Sequence, residues 1–163
     1  MVSDDLRRRA WDAAAAVVDP EIPVLTIEDL GVLRGVEVSD AGVTVAITPT
    51  YSGCPAMHAI ALDVETALAR AGIPHARVKQ VLSPAWTTDW LTPEGHRKLA
   101  ACGIAPPPPT SGRRALFGDA DPVACPRCCS RDTERISEFG STSCKALWRC
   151  RACREPFDAF KCH

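Results

Sequence analysis

A chain of 163 residues with a net charge of −1 can form one ordinary domain, or a domain of about a hundred residues with a small module attached. So balanced a charge offers no field to draw in nucleic acid, and no run approaches the ~20 apolar residues of a membrane helix, so neither is expected as a partner. Of the nine cysteines only Cys54 and Cys102 precede position 125, which gives the last third a chemistry of its own.

The charged start, Met1 to Arg9, is not followed by an apolar stretch, so no signal peptide is expected and the chain is assigned to the cytoplasm. In a reducing compartment paired cysteines serve as metal ligands more often than as disulfides. Ser3 is placed to cap a helix over 4–18, with Leu6, Ala10, Trp11, Ala13 and Val17 turned inward. Asp19-Pro20 stops it, because proline restricts the preceding residue and removes a donor. Residues 19–25 then run extended or turned, with two prolines fixing their path and two carboxylates, Asp19 and Glu21, on a stiff loop. A short helical turn over 26–31 ends at Gly31, a strand follows over 32–38, Asp40-Ala41-Gly42 turns, and 43–48 returns as its partner.

The stretch Thr48 to His58 takes this second strand into a helix whose apolar face carries Ile60, Ala61, Val64 and Leu68. Pro55 suits the first helical position, which makes Cys54 the cap residue. Two readings of Cys54 follow. Free N–H groups and the helix dipole favour a thiolate, whereas a small cysteine buried in a tight turn would be inert. Gly72 ends the helix, 78–82 reads as a third strand, Trp86 and Trp90 form either an aromatic patch or core, and Thr92-Pro93-Glu94 starts a helix that Gly103 ends. The order helix, strand, strand, helix, strand, helix describes an α+β domain over 1–104, a small mixed sheet covered by helices. The proline run within 105–122 reads as a linker, leaving a cysteine-rich module over 123–163.

Cys125-Pro126-Arg127-Cys128 and Cys150-Arg151-Ala152-Cys153 are CxxC turns separated by 21 residues, a spacing that closes a tetrahedral site around Zn²⁺. Strand-like residues at 133–137 and 145–148, with Phe157 and Phe160 beyond the second turn, fit a zinc ribbon, which has too little core to fold securely without metal. Tetrathiolate sites also suit iron or a cluster, with Cys144 and Cys162 as extra ligands, but no four cysteines have the close ferredoxin spacing and zinc is preferred. Cys129, next to a ligand, is expected to point away, and Cys102 has no assigned role.

Asp19-Pro20-Glu21-Ile22-Pro23, Asp29-Leu30-Gly31 and the pair Thr48 and Cys54-Pro55 together resemble the small domain of SufT-like and MIP-type iron-sulfur assembly factors. The segments from Trp86 to Leu91 and from Phe139 to Cys150, with the ending Glu155 to His163, narrow the resemblance to the PaaD family of accessory components of bacterial phenylacetyl-CoA ring 1,2-epoxidase systems. That resemblance implies a non-enzymatic role in maturing the di-iron or iron-sulfur centres of the oxygenase, with its oxygenase and reductase components and the iron-sulfur assembly machinery as partners. It also implies that Cys54, with Asp19 and Glu21 as oxygen ligands, handles iron or a cluster transiently. The plainer alternatives are that Asp19 caps the next turn and Glu21 pairs with a surface cation. A permanent structural subunit of the oxygenase is the competing function, and His58, one turn beyond Cys54, is a further residue within reach of the same site.

Overall fold

The computed structural model describes residues 2–108 and 122–161. They fall into two compact units, the first ending at Trp86 and the second beginning at Thr87.

In the first unit α1 (Val2–Ala15) takes in Ser3 and stops short of Val18. A tight last turn, Val17 N–H to Ala14 O at 3.1 Å, hands the chain to an antiparallel bridge between Val18 and Thr26. Extended backbone has begun before the proline is reached. Ala10, Ala14 and Val17 are the residues that α1 and its end bury, while Leu6, Trp11 and Ala13 are partly exposed. The turn over 26–31 is fixed reciprocally, since the Thr26 hydroxyl accepts from Asp29 N–H at 3.1 Å and the Asp29 carboxylate accepts from Thr26 N–H at 3.0 Å. Gly31, at φ 69°, supplies the left-handed residue that ends it.

Strands β1 (Leu33–Ser39) and β2 (Gly42–Ile47) form an antiparallel hairpin, and β3 (Arg77–Gln80) joins β2 in parallel. A parallel return needs a crossover, which α2 (Ala56–Arg70) provides. The sheet order is β1-β2-β3. Val43, Val45 and Ile47 alternate along β2 into the core, and α2 answers with Ile60, Val64 and Leu68. Both helices pack on the sheet and on each other. Leu25, Ile27, Leu30, Ile47, Ile60 and Leu68 are almost wholly buried, each contributing about 1.5–3 kcal/mol of apolar burial. Beyond α2, Gly72 N–H bonds Ala69 O at 3.0 Å and Ile73 N–H bonds Leu68 O at 2.9 Å, the paired closure that a left-handed glycine allows.

The second unit opens with a 3₁₀ turn (Thr88–Trp90) and α3 (Pro93–Ala101), whose cap Thr92 accepts from Gly95 N–H at 3.0 Å. The chain runs on into β4 (Ile104–Ala105), and after the residues outside the described set come β5 (Thr133–Ser137), β6 (Lys145–Cys150) and β7 (Pro156–Phe160). The sheet order is β4-β7-β6-β5, with β4 parallel to β7 and the other pairs antiparallel. The compact units therefore divide ahead of the proline run: α3 leads directly into a strand of the ribbon's sheet. Ala105 belongs to β4, and 109–121 of the expected linker lie outside the described residues. The α+β class holds, with two small sheets in place of one. Among the described residues no helix is long and apolar enough to cross a membrane.

Candidate functional site

The two CxxC turns are built alike. In the first, Cys129 N–H donates to Cys125 O and Cys125 N–H to Ser130 O, both at 2.9 Å, and Cys129 takes φ 61°. In the second, β6 delivers Cys150, its N–H donates to Glu155 O at 3.0 Å, and Arg154 takes φ 65°. These turns bring the sulfurs of Cys125, Cys128, Cys150 and Cys153 within 4.8 Å of one another. Cys125 Sγ lies 3.8 Å from Cys153 Sγ, and Cys128 Sγ 3.5 Å from Cys150 Sγ. A tetrahedron with Zn–S bonds of about 2.3 Å has edges of about 3.8 Å, so the four thiols fit a tetrathiolate metal site.

Cys125 and Cys150 sit in the core of the unit with Ala105, Ala146, Trp148, Phe157 and Ala159, while Cys153 is half-buried and Cys128 exposed. One of the four thiols is thus open to water. Four thiols held this close share protons unequally. The Cys153 N–H, 3.5 Å from the Cys150 sulfur, is the main influence that lowers Cys150 to about 7. For Cys128 the N–H of Ser130 lowers the pKa, but the hydrogen bond with Cys150, and those with Cys153 and Cys125, outweigh it, and the thiol is pushed up to about 12. Around the second turn Glu134 accepts from Arg149 Nε at 2.8 Å and from Arg151, and Arg151 N–H donates to Asp132 O at 2.9 Å. The paired guanidiniums, Arg151 first and then Arg149, hold the Glu134 carboxyl below its ordinary range.

Cys144 does not join the four. It is buried and shares a hydrogen bond of 3.0 Å with the Thr142 hydroxyl. Cys129 is exposed, as is Cys102, and Cys162 and His163 lie outside the described residues.

Pro55 and not, as expected, Cys54 holds the cap position of α2, and Cys54 stands one residue before it. Its N–H donates to Tyr51 O at 3.3 Å, Gly53 takes φ 78°, and Pro55 already has helical torsions of −68° and −22°. The half-buried thiol has its pKa raised, not lowered. Burial is the largest cause, and the carboxylates of Glu21 and then Asp19 add to it, against opposing hydrogen bonds from Ala56 N–H and the Tyr51 side chain. Of the two readings of Cys54, the thiolate favoured by the helix start gives way to the protonated thiol, because burial and two anions outweigh the influences that lower its pKa. Of the residues singled out in the sequence, Glu21 and Asp19 both act on the Cys54 thiol through their charge. Asp19 is buried, with Oδ1 accepting from Glu21 N–H and Ile22 N–H, each at 2.8 Å. Glu21 is half-buried.

The Thr48 hydroxyl, at the start of this turn, is buried with no hydrogen-bond partner among the described residues. No sequence signal marks it, because a threonine at a strand end is ordinary. His58 is exposed on α2 and does not figure among the groups acting on Cys54. Trp86 is core, its indole N–H donating to Leu30 O at 2.7 Å, and Trp90 is half-buried.

Two family models match the chain. Residues 109–161 match the PaaD zinc beta ribbon domain and residues 7–83 the family described as iron-sulfur cluster assembly protein. A protein of Escherichia coli K12, provisionally named as one of the subunits of 1,2-phenylacetyl-CoA epoxidase, is 49% identical over 152 residues, covering 93% of this chain and 90% of that protein. An Fe-S protein maturation auxiliary factor of Porphyromonas gingivalis is 35% identical over 85 residues, 51% of this chain and 80% of that protein. Among solved structures, a domain of unknown function (DUF59) from Bacillus anthracis superposes with a TM-score of 0.56 at 24% identity, over 61% of this chain and 95% of that one, a likeness of fold.

Proposed function

Since this chain belongs to the PaaD family, which joins an iron-sulfur cluster assembly domain to a zinc β-ribbon, we propose that it helps to mature the metal centres of a phenylacetyl-CoA ring 1,2-epoxidase. It acts as a non-catalytic accessory protein in the cytoplasm, and its clients are the di-iron or iron-sulfur centres of the oxygenase and reductase components. The supporting observation is the division of chemistry along the chain. A closed set of four thiols, Cys125, Cys128, Cys150 and Cys153, suits a resident structural Zn²⁺. Cys54, with Glu21 and Asp19 acting on it, offers a separate, partly open thiol and carboxylate set suited to holding iron or a cluster briefly. When bound, the zinc supplies folding energy to a module with little core of its own.

The test is metal loading of the client. The epoxidase components are produced in cells lacking this protein and supplied with either the unaltered chain or Cys54→Ser, and iron and sulfide in the purified complex are measured. Loading that falls with the variant is expected; full loading and full activity with Cys54→Ser would remove the handling role.

The E. coli relative's name, which makes it part of the epoxidase, favours a second reading in which the protein stays bound as a structural component. Active epoxidase purified without it would dismiss that reading, whereas a constant stoichiometric presence would support it.

A further inference from the structure

Resting on the reading of the four thiols as a resident zinc site, we infer that Thr133 and Glu134, neighbours at the start of β5, are positioning residues that brace the two cysteine turns against each other. The turns are 21 residues apart in the chain. Main-chain bonds within a few residues shape each turn, but those bonds do not set the distance from one turn to the other. The start of β5 bonds to both.

Successive residues of a strand face opposite ways, and the two neighbours use both faces. Thr133 pairs with Cys150 across the ladder, and its hydroxyl donates to Val123 O at 2.7 Å, two residues before Cys125. Val123 packs against the core that holds Cys125 and Cys150, so this bond fixes the entry to the first turn. Glu134 stands opposite Arg149 and grips the two residues that flank Cys150. Its Oε1 accepts from Arg149 Nε at 2.8 Å and from Nη2 of the same side chain, and its Oε2 accepts from Arg151 Nη2 at 2.8 Å and Nε at 3.2 Å. Arg151 is also tied to Asp132, through its main-chain N–H at 2.9 Å and an ion pair at 3.8 Å. Cys150 is buried while Arg149 and Arg151 are exposed, so the carboxylate holds the second turn from the face away from the sulfur.

An isolated exposed ion pair contributes little. Here one carboxylate engages two guanidiniums, each through two nitrogens, which fixes direction as well as distance. Ordering scattered ligands lowers the free energy of metal binding, so turns already held at their separation retain the ion longer.

The experiment loads the full-length protein with zinc, adds excess chromogenic chelator and follows the rate of zinc release. Glu134→Gln and Thr133→Val are each expected to release zinc about tenfold faster, the lower end of the range for groups that orient metal ligands. Thr133→Ser keeps the hydroxyl and should restore slow release. High salt should narrow the gap between the unaltered protein and Glu134→Gln but not the gap to Thr133→Val, because only the first contact is ionic. Gly140→Ala crowds Asp158 from the loop that enters the far end of β6, and serves as the control for general loosening of the unit. Its release rate is expected to match the unaltered protein.

Rates unchanged in Glu134→Gln and Thr133→Val, or a Gly140→Ala rate equal to theirs, would overturn the brace and leave the zinc reading standing. Purified unaltered protein that holds no zinc would sink that reading and the brace with it. Should Thr133→Val not fold, Glu134→Gln, an exchange at a half-buried side chain, decides with the salt series.

Discussion

The indole N–H of Trp86 donates to the main-chain carbonyl of Leu30 at 2.7 Å, tying the last residue of the first unit to a buried turn 56 residues earlier. Trp86→Phe keeps much of the ring but leaves that carbonyl without its donor. A buried acceptor left unsatisfied costs about 1–3 kcal/mol, and denaturant unfolding followed by circular dichroism is expected to show a loss of that size. An unchanged midpoint would mean that water replaces the indole.

Gly140 faces Asp158 so closely that a Cβ there would collide with Oδ1 and lie 3.2 Å from Cγ. Asp158 cannot retreat freely, because it accepts from the Ser141 hydroxyl at 2.7 Å and lies 4.0 Å from the buried Lys145 ammonium. Gly140→Ala is expected to destabilise the second unit by about 1–3 kcal/mol, the usual range for overpacking. Asp158→Ala in the same background should recover part of the loss, and the double-mutant cycle measures the clash directly.

Metal removal separates the units. Zinc-loaded protein should contain about one Zn²⁺ per chain, and a chelator is expected to lower the ordered signal of Trp148 while leaving the α2 helical signal in place. Cys150→Ser is expected to do the same without chelator, because its thiol is wholly buried among the other three. The ligands bind as thiolates, so protons compete with the metal and retention should weaken as pH falls. Full zinc retention by Cys150→Ser, measured by elemental analysis, would contradict the four-thiol assignment.

The Cys54 thiol gives a pH profile of definite sign. Its raised pKa keeps it protonated through neutral pH, so alkylation should be slower there than for a free cysteine and should climb only at more alkaline pH. Glu21→Gln removes an anion that disfavours the thiolate, so the profile should move toward acid. A profile at or below that of free cysteine in the unaltered protein would show that the helix start dominates after all.

What could be read from the sequence was the part decided locally. Two residues between cysteines, repeated at 150–153, fix a turn whatever the rest of the chain does, so the grouping of the four thiols was evident. The reciprocal pair Thr26 and Asp29, and the glycines after α2 and at 31, likewise act within a few residues. The state of Cys54 was not evident, because it is set by burial and by carboxylates from a loop far upstream in the chain. Cap position alone pointed the wrong way. Cys144 looked like a spare ligand since spacing says nothing of a buried sulfur hydrogen-bonded to its own neighbour Thr142. Helix α1 ended early for a similar reason: a bridge to Thr26 claims Val18 before Pro20 acts.

Strand β4 is only Ile104 and Ala105, yet through Asp158 and Ala159 it closes one side of the four-stranded sheet, and Ala105 is 1% exposed. Cutting the protein at the proline run to isolate the cysteine-rich piece would therefore strip β7 of a partner and uncover its hydrogen-bonding groups. A fragment begun there is expected to self-associate along that bare edge, and one begun before Thr92, which carries α3 and β4, to remain monomeric.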